Sequence, residues 1–194
     1  MVDDGAALRR FREEHAGVFA TLWRRLGEFD LVDVSLADAY LAATAAWPDD
    51  GIPSNPATWM ATVALSATTG VVSRRTDPET ATPEGDLRAL IASCCAPGLT
   101  PEQRVVLVVR AVAGLMPAEI AVLLALPEAE VKRRLDGAKT GLRKLGGRAP
   151  IPEGAEAERQ ALATEAVAAV RAAPGADAAE IAALLDQRVA RAFA

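Results

Sequence analysis

Residues 114–145, GLMPAEIAVLLALPEAEVKRRLDGAKTGLRKL, restrict most narrowly what this chain can fold into. Ile120, Ala121 and Leu124 mark the apolar face of a short helix, and Pro127 opens a second one. Val131, Leu135, Ala138, Leu142 and Leu145 then follow at spacings of four, three, four and three, the period of an amphipathic helix. The spacing predicts two helices joined by a tight turn. Lys132, Arg133, Arg134, Lys139, Arg143 and Lys144 fall away from the apolar stripe, as they must on a helix that lies along a phosphate-lined groove. A helix-turn-helix and an ordinary helical hairpin with hydrated cations both fit this pattern.

The remaining sequence reads as helix throughout. Of the 194 residues 51% are hydrophobic and only 4% aromatic, and an excess of Ala and Leu over β-branched and aromatic residues favours helices over sandwiches and barrels. The net charge is −5, but residues 96–149 hold nine Lys/Arg against five Asp/Glu. A basic segment inside an acidic protein attracts DNA locally, while the surrounding field weakens that attraction and makes it salt-sensitive.

Periodicity places a first helix over 6–26, carrying Leu8, Phe11, His15, Val18, Phe19, Leu22 and Leu26. A second runs from about Leu31 to Ala46, stopping before Trp47-Pro48 and burying Val32, Leu36, Tyr40 and Leu41 or their near neighbours, with Asp33 and Asp38 on its outer side. Asn55-Pro56 is an N-cap followed by proline at the first helical position, so a third helix starts there and is expected to run through Trp59, Val63 and Leu65 to about Val72. Thr100-Pro101-Glu102-Gln103 repeats that signal. The tail from Glu156 to Ala194 reads as two Ala-rich helices split at Pro174-Gly175-Ala176-Asp177. Their small side chains bury little area per residue, so the tail is expected to dock on the body or on a partner.

Chemistry-bearing residues are sparse. Cys94 and Cys95 are adjacent, and helical neighbours point about 100° apart, which excludes an ordinary disulfide or a four-ligand zinc site built from them. Two reduced, buried thiols are expected. His15 is the sole histidine, and with no nucleophile or metal ligand at a recognisable spacing it reads as a surface helix residue. No phosphate-cradling Gly loop, metal cluster or nucleophile–base pair stands out, so neither a catalytic activity nor a cofactor is expected. No apolar run has membrane-spanning length, and Met1-Val2-Asp3-Asp4-Gly5 is acidic where a secretory leader is basic. A cytoplasmic protein without a membrane partner is expected.

Four blocks in one order carry a resemblance: WPDDGIPSNPATWMATV at 47–63, DLRALIASCCAP at 86–97, LTPEQRVVLVVR at 99–110, and GLMPAEIA with LPEAEVKRRLDGAK within 114–139. Together they resemble the extracytoplasmic-function sigma factors of bacterial RNA polymerase, in the branch with a W-P-x-x-G-I-P-x-N-P turn and a C-C-x-P motif. The resemblance covers about residues 6–152. It implies an all-α protein: a region 2-like domain at 6–75, a linker at 76–85, a region 4-like helix-turn-helix domain at 86–148, and the helical tail at 156–194. It further implies promoter DNA as a partner, its −35 element met by Lys132, Arg133, Arg134, Lys139 and Arg143, with Arg74 and Arg75 as further DNA contacts. RNA polymerase core is the second implied partner, its β′ clamp met by Asp33 and Asp38; another sigma factor or a regulator is an alternative one.

This chain departs from the family at several positions. The acidic–Leu–x–Gln–acidic grip on the clamp reads Val34, Ser35, Leu36, Ala37 and Asp38, and no charged residue occurs from Gly51 to Ser73. In the second helix of the hairpin Asp136, Gly137 and Gly141 stand where cations are common, and Met116 replaces a hydroxyl N-cap. Residues 156–194 are not expected to form the long helical-repeat extension with which that branch continues. Two functions therefore follow as expectations: a sigma-type initiation protein, or a sigma-like interaction module that binds polymerase or another sigma factor without melting promoters.

Overall fold

Three helix starts in this chain are written as a hydroxyl or amide residue followed by proline, Asn55-Pro56, Thr82-Pro83 and Thr100-Pro101, and the computed structural model, which describes residues 4–66, 68, 82–146 and 151–194, places a helix at each of them. The Asn55 side chain accepts the Thr58 N–H at 3.0 Å, and Thr82 accepts that of Gly85 at 3.0 Å. Thr100 and Gln103 close a reciprocal capping box at 3.0 and 3.3 Å. Each such cap is worth about 1 kcal/mol.

The fold is all-α, with no strand among the described residues. In chain order it comprises α1 (Asp4–Leu26), α2 (Phe29–Asp50), α3 (Pro56–Ser66), α4 (Pro83–Cys94) and α5 (Pro101–Val108), which runs into a π-helical turn over Val109–Ala113. Then come α6 (Pro117–Leu124), α7 (Glu128–Lys144), α8 (Glu156–Arg171) and α9 (Ala178–Ala192). The third helix is described over Pro56–Ser66, and the rest of its expected course to about Val72, apart from Thr68, lies outside the described residues; another expected bound is overrun. Helix α2 continues through Trp47 and Pro48 to Asp50, because a proline in the last turn forfeits only one backbone bond. Burial of Trp47 at 1% exposure anchors that turn, and the Gly51 N–H closes it on the Trp47 carbonyl.

Helix α1 is the axis of the molecule, packing against α2, α3, α4 and the π turn. Its Phe11, Phe19 and Trp23 enter an aromatic cluster with Phe29, Tyr40 and Trp47, whose ring centroids lie 4.9–6.4 Å apart. Trp59 completes it edge-on against Trp47 at 5.4 Å. Each fully buried large side chain contributes roughly 1.5–3 kcal/mol of transfer free energy, so this cluster is a principal stabiliser of the N-terminal helices.

Two domains divided at 76–85 are the sequence expectation, and the structure does not confirm that division. Residues 76–81 lie outside the described residues. Helix α4 already begins at Pro83, and the buried side chains of α1–α3 and of α4–α9 form one continuous cluster. The tail belongs to it: α8 and α9 pack on each other and on α4, α5 and the π turn. Arg188 of α9 is buried and donates to the carbonyls of Val112, Arg12 and Glu13, the last two at 2.8 and 3.2 Å. Burial draws its pKa down to about 10, which leaves it protonated at neutral pH.

His15 is a correction. It is 1% exposed, its ring lying between Phe11 and Phe19 at centroid distances of 5.9 and 5.7 Å. Gly114 explains the fit: its φ of +80° suits glycine, and a Cβ there would stand 2.9 Å from His15 Cγ. Leu41 is corrected too. It is 62% exposed, because α2 turns Val32, Leu36, Ala39, Ala43 and Trp47 inward and leaves Val34 and Leu41 outside.

Candidate nucleic-acid interface

The hairpin expected from the spacing is formed by α6 and α7. Its turn is made by Ala125 in the left-handed region at φ 50°, after which Leu126 and Pro127 lead into α7. Val131, Leu135, Ala138 and Leu142 are buried, holding α7 against α5 and α6. Leu145 ends the stripe 44% exposed, beyond the helix. The missing hydroxyl cap at Met116 is offset from the other side: Glu119 accepts the Met116 N–H at 2.8 Å and is also bonded by Arg12 of α1.

Gly137 and Gly141 face the body. A Cβ on Gly141 would approach Leu99 Cδ2 to 2.6 Å, and one on Gly137 would lie 3.0 Å from Gln103 Nε2. Both are half-buried, so a larger side chain at Gly141 would have to displace Leu99 and one at Gly137 the Gln103 amide.

Every described cation proposed for DNA has an acidic neighbour. Lys132 pairs with Glu128 at 2.7 Å, and Arg133 and Arg134 share Glu130 at 2.7 Å. Those hydrogen bonds, Arg133's first, hold the Glu130 carboxyl at about 2. Lys132 and Arg133 are 59% and 74% exposed, and such open pairs within one helix are worth little and exchange readily. Lys139 is different. Its Nζ lies 2.7 Å from Asp33 Oδ2 and 3.2 Å from Asp30 Oδ1, with the side chain only 13% exposed. Arg143 reaches Asp30 at 3.2 Å and stays 66% exposed. Arg74 and Arg75 lie outside the described residues.

The two acids proposed for polymerase part company. Asp38 is exposed on the outer face of α2, as expected. Asp33 does not lie on that outer face. It is 14% exposed, in ionic contact with Arg110 Nε at 2.6 Å through Oδ1 and hydrogen-bonded by Lys139 through Oδ2. Arg110 was passed over in the sequence although the signal was there: a lone cation inside VVLVVRAVAGL must find a partner when the run is buried. It is 3% exposed and also donates to the Leu115 carbonyl at 3.3 Å. Asp30, in the first turn of α2, joins the same ionic group without a local sequence signal.

The remaining reactive groups are quiescent. Cys94 and Cys95 are free and buried. Burial pushes Cys94 well above its ordinary value and Cys95 up to about 12, so neither is a thiolate near neutral pH. Burial first, then the charges of Arg110 and Arg188, pull His15 well below its ordinary value. Among the described residues, no group of three or more His, Cys, Asp or Glu could hold a metal ion, and no helix is long and apolar enough to cross a membrane.

No protein-family model matches the chain, and no solved structure is significantly similar to it. An uncharacterized protein of Rhizobium meliloti (strain 1021) is 27% identical to it over 173 residues, which cover 75% of this chain and 40% of that protein. The chain thus spans about two fifths of the length of the curated relative it matches.

Proposed function

We propose that the protein is a DNA-binding transcription-initiation protein of the sigma type, contacting duplex DNA through α7 and RNA polymerase core through the outer face of α2. One observation carries the reading: α7 is the second helix of a tight hairpin, buried along Val131, Leu135, Ala138 and Leu142 and cationic along its open face. Its exposed ion pairs are no obstacle, since a phosphate replaces a hydrated carboxylate at small cost. The order of the motifs in the sequence adds the promoter −35 element and the β′ clamp as the partners, with Asp38 at the clamp.

A second reading, a sigma-like module that binds polymerase or another sigma factor without opening DNA, is favoured by Val34 and Leu41, 60% and 62% exposed on α2. Titrating the full chain with a labelled mixed-sequence duplex at several salt concentrations, alongside pull-down with core polymerase, separates the two. Salt-dependent duplex binding that weakens in the Arg133→Ala, Arg134→Ala double variant supports the first. Polymerase capture with no duplex binding at any salt supports the second.

A further inference from the structure

Lys139 and Arg143, two of the cations proposed for DNA, are held by acids more than a hundred residues earlier in the chain. We propose that Asp30 and Asp33 of α2 stand in for DNA phosphates, forming a latch on α7 that a duplex must displace before Lys139 can bind it; this rests on the DNA-binding reading above. The geometry has the features of a displaceable contact. Helix α7 is anchored to α5 and α6 by its apolar stripe, and it meets α2 through Lys139 on Asp33 and Asp30, Arg143 on Asp30, and Lys139 Nζ 6.0 Å from the centre of the Phe29 ring.

The two acids divide the work. Asp33 also has Arg110 at 2.6 Å, a partner that would still face it were Lys139 withdrawn, which offsets the stranded charge that normally makes breaking a shielded pair so costly. Asp30 is 45% exposed and pairs with Arg143 in the open, where such a pair is weak. Here one acid has its own resident arginine and the other faces water, so the ammonium can change partners. While engaged, Lys139 is 13% exposed and cannot reach a phosphate. The closed form therefore presents Lys132 and Arg133 to DNA and withholds Lys139.

Affinity for a fluorescent mixed-sequence duplex, measured at low and moderate salt on the full chain, tests the latch with Asp30→Asn, chosen because Asp30 lies at the surface and its loss spares the Asp33–Arg110 pair. The same change is made in a Lys139→Ala, Arg143→Ala background. The latch predicts roughly three- to tenfold tighter binding and a steeper salt slope on Asp30→Asn, with the gain gone when Lys139 and Arg143 are absent. A gain that survives in that background is only the loss of one repelling charge, and it overturns the latch while leaving DNA binding intact. So does unchanged affinity in a folded Asp30→Asn protein that binds DNA. Amine acylation supplies a readout without DNA: Lys139 should be modified more slowly than Lys132 and Lys144, and faster in Asp30→Asn than in wild type. Equal rates for the three lysines in wild type overturn the latch. Slow Lys139 modification without duplex binding by any variant retires the DNA-binding reading, and with it the proposed role of the contact.

Discussion

Arg24 of α1 donates from Nε to Asp86 Oδ2 of α4 at 2.9 Å, both side chains shielded at 17% and 9% exposure. This pair spans the stretch that the sequence marks as a boundary, and α1 packs against α4 beside it. Neutralising one partner of so shielded a pair gives up a charge-assisted bond between the two helices and is destabilising. Asp86→Asn is expected to lower the whole thermal transition, and wild type to unfold in a single step. Two resolved calorimetric transitions, with only one shifted by Asp86→Asn, would show that the halves are independent domains.

His15 makes stability depend on pH. Its folded pKa lies well below the ordinary value, through burial and the charges of Arg110 and Arg188, so near and below pH ~6.5 the unfolded chain takes up a proton that the folded chain refuses. The contribution is neutral above that pH. Stability is lost as pH falls below it, by at most about 1.4 kcal/mol per pH unit from this group. Urea melts between pH 7.5 and 5.5 should show the decline, and His15→Leu should flatten it. An equal decline in His15→Leu would move the cause to another group.

How far these features were legible beforehand differs from residue to residue, for physical reasons. Thr100-Pro101 and Asn55-Pro56 announced their helices because capping is local chemistry, complete within four residues. The buried place of His15 is legible too: it sits four residues from both Phe11 and Phe19, on the apolar face. Leu41 was not, since α2 is apolar on nearly every side and no stripe identifies its inner face. The pairing of Lys139 with Asp33 lay beyond any local pattern, because it is made by tertiary packing between residues 106 positions apart.

The loop between α8 and α9 meets α6 at Gly175. Its N–H donates to the Leu123 carbonyl at 3.0 Å, and a Cβ there would stand 2.6 Å from Leu123 Cα and O, backbone atoms that cannot swing aside. Gly175→Ala is expected to cost about 1–3 kcal/mol and to push the loop between α8 and α9 away from Leu123. Limited proteolysis should then cut within 172–178 sooner than in wild type; an unaltered cleavage pattern and melting temperature would mean the loop yields freely.

Ala125 is strained where Gly175 is tight. It occupies the left-handed region at φ 50°, which costs a side-chain-bearing residue roughly 1–2 kcal/mol, against about 0.5–1 kcal/mol of extra chain entropy for glycine. Ala125→Gly should therefore stabilise the protein by about 0.5–1 kcal/mol without altering duplex affinity. A lower melting temperature would show that the strain is already relieved by the surrounding packing.

Helix α3 bears on whether such a protein opens a promoter or only helps others do so. Holding a separated strand takes cations along its backbone and aromatic faces for its bases. The exposed positions of α3 include Thr58, Thr62 and Ser66, and the Thr62 and Ser66 hydroxyls donate to the carbonyls of Thr58 and Val63 at 2.8 and 2.7 Å. Trp59 is half-buried against Trp47, so its ring serves the core. With no charge between Gly51 and Ser73, this face has little grip on a phosphate backbone. Within the sigma-type reading the protein should recruit or modulate polymerase far better than it melts DNA unaided. Core polymerase, a candidate promoter and this protein as the sole sigma factor should leave the −10 thymines unreactive to permanganate; reactive thymines in that mixture would show that a neutral α3 suffices for melting.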